Sequence, residues 1–207
     1  MIVLASASPA RAATLRAAGV RHVVRVSAVD EAAYLAHHPA GTPAETAQLL
    51  ARAKAEDVAA APDLPAGGLV LGCDSVLELD GVAIGKPGDA RAARECWRRM
   101  RGRSGVLHTG HWLVDTRTAE RAAAGSVASA TVHFAEVSDA EIEAYLRTGE
   151  PLQVAGAFTV DGLGGAFVRR IEGDHHTVVG LSLPLLRTMA AGAGIDWPRL
   201  WSDYRPE

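Results

Sequence analysis

Cysteine is scarce: the 207 residues hold only Cys73 and Cys96. Two thiols cannot build a disulfide framework, and their separation does not suit a zinc knuckle. They fit a reducing compartment, so a cytoplasmic location is expected. No run approaches ~18 consecutive apolar residues, so no membrane span is expected. No basic region precedes the apolar start at Met1, so no signal peptide is expected. Lys and Arg form no block or stripe, and the formal net charge is −3. That leaves no footprint for nucleic acid.

What is present is ordinary for a soluble globular protein: 48% hydrophobic and 22% charged residues. The length predicts a single domain, 1–207, or one domain with two lobes. Such a chain can bury a substantial core without staples.

The informative stretch is Leu69 to Pro87. Leu69-Val70-Leu71 reads as a buried strand with Asp74 at its carboxyl end, where open α/β sheets bind ligands. Asp80-Gly81 lies between two apolar arms and predicts a hairpin turn. The second arm leads into Gly85-Lys86-Pro87. One short unit thus presents a carboxylate and an ammonium together, a pairing suited to metal-assisted phosphate chemistry. The plainer alternative is a turn residue and a solvated lysine. The stretch is not a P-loop. Gly81 and Gly85 are one residue too close, and Pro87 stands where a Mg²⁺-binding hydroxyl is needed.

Met1–Ala5 predicts a strand that runs into a helix starting at Pro9, with Ser8 as its cap and Gly19 as its stop. A helix entered this way offers free N–H groups to an anion. Arg11 in the first turn is unfavourable for the dipole, which points to phosphate or to a plain solvated arginine. His22–Val26 predicts a second strand, followed by Asp30-Glu31. Capping of the next turn is the favoured reading of those acids.

Residues 44–61 carry helical periodicity, with Ala47, Leu50, Lys54, Val58 and Ala61 on one face. Lys54 is the one charge on that apolar stripe. It snorkels outward, the commoner outcome, or points into a site. Residues 62–68 form a linker.

A helix follows from Asp89 to Met100. Residues 106–115 and 122–136 predict two long antiparallel strands, joined through 116–118. Their length implies a strongly bent sheet or a pairing edge. His108 and His111 lie three apart on a strand, so they face opposite ways and are read as structural. Ser138 and Glu141 form a capping box. Residues 155–168 read as a Gly-rich loop that lacks the dinucleotide fingerprint. Glu172–Thr177 reads as a polar loop with two weak metal candidates, His175 and His176. A last helix covers 183–191, and Trp197, Trp201 and Tyr204 are read as packing on the body or a partner.

Taken in order, these segments resemble the Maf family of nucleoside triphosphate pyrophosphatases, named as septum-formation inhibitors. The resemblance rests on Ser6-Ala-Ser-Pro-Ala-Arg11, Val29-Asp-Glu31, Ala53-Lys54-Ala55, Gly72-Cys-Asp-Ser-Val76 and Gly85-Lys-Pro87. It continues in Gly149-Glu-Pro-Leu152 with Ala155-Gly-Ala-Phe158, and in Val178-Val-Gly-Leu181. It implies an α/β fold with a long bent mixed β-sheet flanked by helices, two lobes around a nucleotide cleft, and a homodimer. It implies a substrate-binding set of Ser8, Arg11, Lys54, Lys86, Ser75 and Asp161. It makes Asp74 the catalytic acid/base, and Glu31 with Asp74 the holders of a divalent cation, Mg²⁺ or Mn²⁺. The implied reaction cleaves a nucleoside triphosphate to the monophosphate and pyrophosphate.

The chain departs from the family pattern at Ala10, Ser75 and Asp161, positions associated with substrate choice, so no base preference follows. An ionised Asp161 accepts but cannot donate, and so favours an amino edge on the base. A nucleotidyltransferase and a non-catalytic nucleotide-binding protein linked to cell division are the competing readings. The first would release pyrophosphate only with an acceptor. The intact set Glu31, Lys54, Asp74 and Lys86 speaks against the second.

Overall fold

The computed structural model describes residues 1–64 and 67–202. Over these residues it is a mixed α/β fold on one seven-stranded sheet. The strands are β1 (Ile2–Ala5), β2 (His22–Val24), β3 (Leu69–Leu79), β4 (Val82–Ile84), β5 (Ser104–Asp115), β6 (Ala123–Phe134) and β7 (Val168–Glu172). Their spatial order is β2-β1-β3-β5-β6-β7, with β4 also on β3. The pairs β1–β2 and β1–β3 are parallel, and the rest are antiparallel.

Among the described residues, seven α-helices flank the sheet: α1 (Pro9–Ala17), α2 (Glu31–His37), α3 (Pro43–Ala59), α4 (Ala90–Met100), α5 (Asp139–Arg147), α6 (His175–Val179) and α7 (Leu183–Gly192). Their starts follow local chemistry. Ser8, Asp30, Thr42, Asp89, Ser138, Asp174 and Ser182 each accept a backbone N–H as N-caps. Ser138 and Glu141 form the expected reciprocal capping box.

Strand β3 does not end at Asp74 as its apolar run suggested; it continues to Leu79. The cause is β5, which pairs with it from Leu69 to Glu78. On the opposite edge β1 pairs only with Leu69–Gly72, and β4 only with Leu77–Leu79. Residues 73–76 therefore form a gap in that edge. Asp80 (φ 57°) and Gly81 (φ 76°) make the predicted tight turn into β4.

The alternation of β3 divides its side chains. Leu69, Leu71 and Cys73 pack with Leu15, Leu113 and Leu186 beneath α1 and α7. Leu77 and Leu79 pack with Trp97, Phe134, Ile142 and Tyr145 beneath α4 and α5. Val70 faces the other side, against Ala55, Val58 and Ala59 of α3. Gly72 lets α3 lie close, since a Cβ there would fall 2.1 Å from the Ala51 carbonyl oxygen. Both cysteines are buried and free, and burial pushes their thiols up to about 12 (Cys73) and about 11 (Cys96).

Other expectations shift at the margins. Strand β2 stops at Val24, and the acids after it start α2. The segment after Glu172 is not all loop, because Asp174 caps α6. The Gly-rich segment holds short 3₁₀ turns at Ala155–Ala157 and Leu163–Phe167. Trp201 makes an isolated bridge with Val20. Tyr204 lies outside the described residues.

Candidate active site

The gap in the β3 edge opens onto a cleft of about 470 Å³. Its polar lining includes Ser8, Arg11, Glu31, Lys54, Asp74, Ser75, Lys86 and Asp161. Every site residue expected from the sequence therefore reaches one cavity. An apolar wall comes from Leu107, Val154, Phe158, Val160, Val178 and Val179.

At the floor, Lys54 does not snorkel outward. It is 8% exposed, and its Nζ lies 2.5 Å from Asp74 Oδ1 and 2.7 Å from Glu31 Oε1. Helix α3 crosses the face of β3 that carries Asp74, and Lys54 spans the space between. Glu31 arrives from the first turn of α2, while Asp30 beside it serves as the cap. The capping role expected of that acidic pair thus holds for Asp30 and fails for Glu31. Lys86 Nζ stands 3.8 Å from the same Glu31 oxygen and is exposed to the cleft.

The two carboxyls respond differently to this shared ammonium. Burial raises the pKa of Asp74 above the ordinary aspartate value, against the opposing charges of Lys54 and Arg11. Burial also raises Glu31, but the Lys54 hydrogen bond and charge, helped by Lys86 and Arg11, hold it below its usual value. Glu31 is the more readily ionised of the two, and Asp74 the desolvated one.

Arg11 is committed in another way. Its Nε donates to the Gly180 carbonyl (2.7 Å), and Nη1 to Ser6 Oγ (2.9 Å) and the Cys73 carbonyl (2.8 Å). Nη2 donates to Ser75 Oγ (3.1 Å). Of five N–H donors, these contacts leave one for a ligand. Arg11 takes the Cys73 carbonyl that the departure of β1 leaves without a strand partner. Ser75 is committed as well. Thr109 Oγ1 donates to the Thr177 carbonyl (2.8 Å), so Ser75 Oγ must donate to Thr109 (2.9 Å). Ser6 and Thr109 complete this relay, and neither is among the site residues expected from the sequence. Ser6 lies in view two residues before the cap. Thr109 gives no local signal, because its role comes from cross-strand register.

His108 and His111 face opposite sides, as their spacing predicts. His108 bridges Ser129 and Glu78, whereas His111 is fully buried and accepts the Ser182 N–H at Nε2 (2.9 Å). Among the described residues, no three His, Cys, Asp or Glu side chains cluster as a metal site.

A family model described as "Maf-like protein" matches residues 1–193. The chain belongs to the Maf family. Relatives called "Nucleoside triphosphate pyrophosphatase" match nearly its whole length. One from Leifsonia xyli subsp. xyli is 55% identical, covering 97% of this chain and 96% of that protein. One from Salinispora tropica is 57% identical, covering 97% and 87%. One from Streptomyces coelicolor is 53% identical, covering 97% and 94%. The Maf assignment agrees with the mixed sheet and its flanking helices.

Proposed function

We propose that this Maf protein hydrolyses a nucleoside triphosphate to the nucleoside monophosphate and pyrophosphate. The observation that carries the reading is Lys54, held between Asp74 and Glu31 at the floor of the cleft. A triphosphate brings several negative charges and needs cations placed in advance. Lys54, Lys86 and the remaining Arg11 N–H supply them. The apolar wall of Val154, Phe158 and Val178 then accommodates the nucleoside.

Glu31 and Asp74 fit a divalent cation, because they already share one cation and Mg²⁺ is usually held by one or two carboxylates plus substrate phosphate oxygens. When bound, Mg²⁺ or Mn²⁺ would neutralise phosphate charge and acidify a water. Asp74 accepts the proton of the attacking water, in line with the bond between α- and β-phosphates. Its raised pKa makes it a stronger base than an exposed aspartate. Lys54 fixes the carboxylate in place. Positioning and charge stabilisation supply most of the rate in such transfers.

The test is a panel of standard and modified nucleoside triphosphates with Mg²⁺ or Mn²⁺, with products separated and Asp74→Asn run alongside. Monophosphate and pyrophosphate are expected, reduced roughly 10²–10⁴-fold in the variant. Absence of turnover, or an equally active variant, overturns the reading. Pyrophosphate released only with an acceptor assigns a nucleotidyltransferase instead. The homodimer implied by the resemblance belongs to the same proposal, and light scattering reads it; a monomer mass at working concentrations removes it.

A further inference from the structure

Glu150 lies outside the lining of the cleft, yet it organises the segment that carries Asp161. It stands at the start of a 3₁₀ turn, Glu150–Gln153, after the α5 helix. Its Oε1 accepts from Tyr145 Oη (2.8 Å), Thr159 Oγ1 (2.5 Å) and the Gly164 N–H (3.0 Å). Its Oε2 accepts from the Leu163 N–H (3.1 Å). Tyr145 Oη in turn accepts the Thr159 N–H (3.3 Å). Burial opposes the charge, but these donors outweigh it and hold the Glu150 carboxyl below its usual pKa.

Two glycines of this segment serve the same contact, and a third lets the loop fold back on itself. A Cβ at Gly162 would fall 2.8 Å from Glu150 Oε2, and one at Gly164 would fall 2.4 Å from Tyr145 Oη. A Cβ at Gly165 would lie 2.7 Å from the Val160 carbonyl oxygen. The backbone curls around a carboxylate of its own chain much as Gly-rich loops curl around phosphates. The outer side of that curl presents Thr159, Val160 and Asp161 to the cleft. The cations come from other places: α1, α3 and the segment after β4.

We infer that Glu150 is a positioning residue, whose carboxylate shapes the 159–165 loop into the wall that recognises the nucleoside rather than the phosphates. The inference rests on the proposed nucleotide substrate. Glu150→Gln places an NH₂ against donors that need an acceptor, so at least one loop N–H loses its partner. The loop loosens, and nucleoside recognition weakens while the phosphate grip remains.

Calorimetry with α,β-methylene nucleoside triphosphates and with inorganic triphosphate separates these effects. Glu150→Gln is expected to weaken the best-bound nucleotide tenfold or more, and inorganic triphosphate less than twofold. Amide exchange of Leu163 and Gly164 should accelerate in parallel. Tyr145→Phe removes the donor to Glu150 and the acceptor of the Thr159 N–H while keeping the ring packed, so it should show the same split at two- to fivefold and stands in if the first variant does not fold. Equal weakening of both ligands, no weakening of either, or unchanged amide protection overturns the inference. A wild type that binds inorganic triphosphate and no nucleotide overturns the proposed substrate itself, a result distinct from those.

Discussion

Asp74 and Lys54 are coupled through their 2.5 Å contact. Burial raises the Asp74 pKa, so its carboxylate form predominates only above that raised value. Without a divalent cation its carboxyl should therefore titrate above 3.8, the ordinary aspartate value. Lys54 supplies the largest opposing charge. Lys54→Met should move the Asp74 titration higher still, and ¹³C NMR of the carboxyl reads it even where turnover is slight. A titration unmoved by this change would show that Lys54 is not the charge that holds the Asp74 pKa down. Asp161 borders the cleft with an acceptor-only side chain when ionised, so Asp161→Gln should change the ranking of nucleotides in a competition assay, by roughly the 1–3 kcal/mol that one polar contact is worth. An unchanged ranking removes Asp161 from base selection.

Helix α3 reaches β3 only because of glycine. Gly72→Ala would drive a Cβ to 2.1 Å from the Ala51 carbonyl oxygen and 2.8 Å from the Ala55 nitrogen, both backbone atoms of α3. Overpacking of this kind costs roughly 1–3 kcal/mol, more where backbone must move. The helix that recedes is the one carrying Lys54, so Gly72→Ala should lower both the melting temperature and the affinity for inorganic triphosphate. Preserved affinity would show that the Lys54–Asp74 contact tolerates a displaced helix. The same elements show what the sequence alone could reveal. Periodicity places Lys54 on the buried stripe of α3, yet its destination depends on which strand residue lies opposite. Asp74 is legible as a site residue, but the true extent of β3 is not, because its partners come from β5, beyond an intervening helix. Local caps place α1, α4 and α5 well. Helix α6 escapes because Asp174 and its short turn read as polar loop.

For the whole molecule, His111 ties stability to acidity. Burial lowers its pKa to about 4, with Arg11 adding to the effect, against 6.5 for the free side chain. The unfolded chain takes up this proton below pH 6.5, and the folded chain does not until about pH 4. Stability is therefore complete above pH 6.5 and is lost progressively as pH falls toward 4, by on the order of 3 kcal/mol from this group. Denaturant titrations should show that slope, and His111→Gln, which retains an acceptor for the Ser182 N–H, should flatten it. The agreement of short motifs with the Maf pattern is legible without coordinates, whereas the Glu150 carboxylate inside its glycine curl is not. That contact joins residues whose local patterns speak only of helix end and loop. Finally, Arg11 closes its network on the carbonyl of Gly180, a separation of 169 positions. During synthesis the first strand and helix emerge long before that acceptor exists. A nascent chain halted short of Gly180 holds most of the charged groups but not their assembled geometry, so the onset of catalysis would report that the last part of the polypeptide has docked.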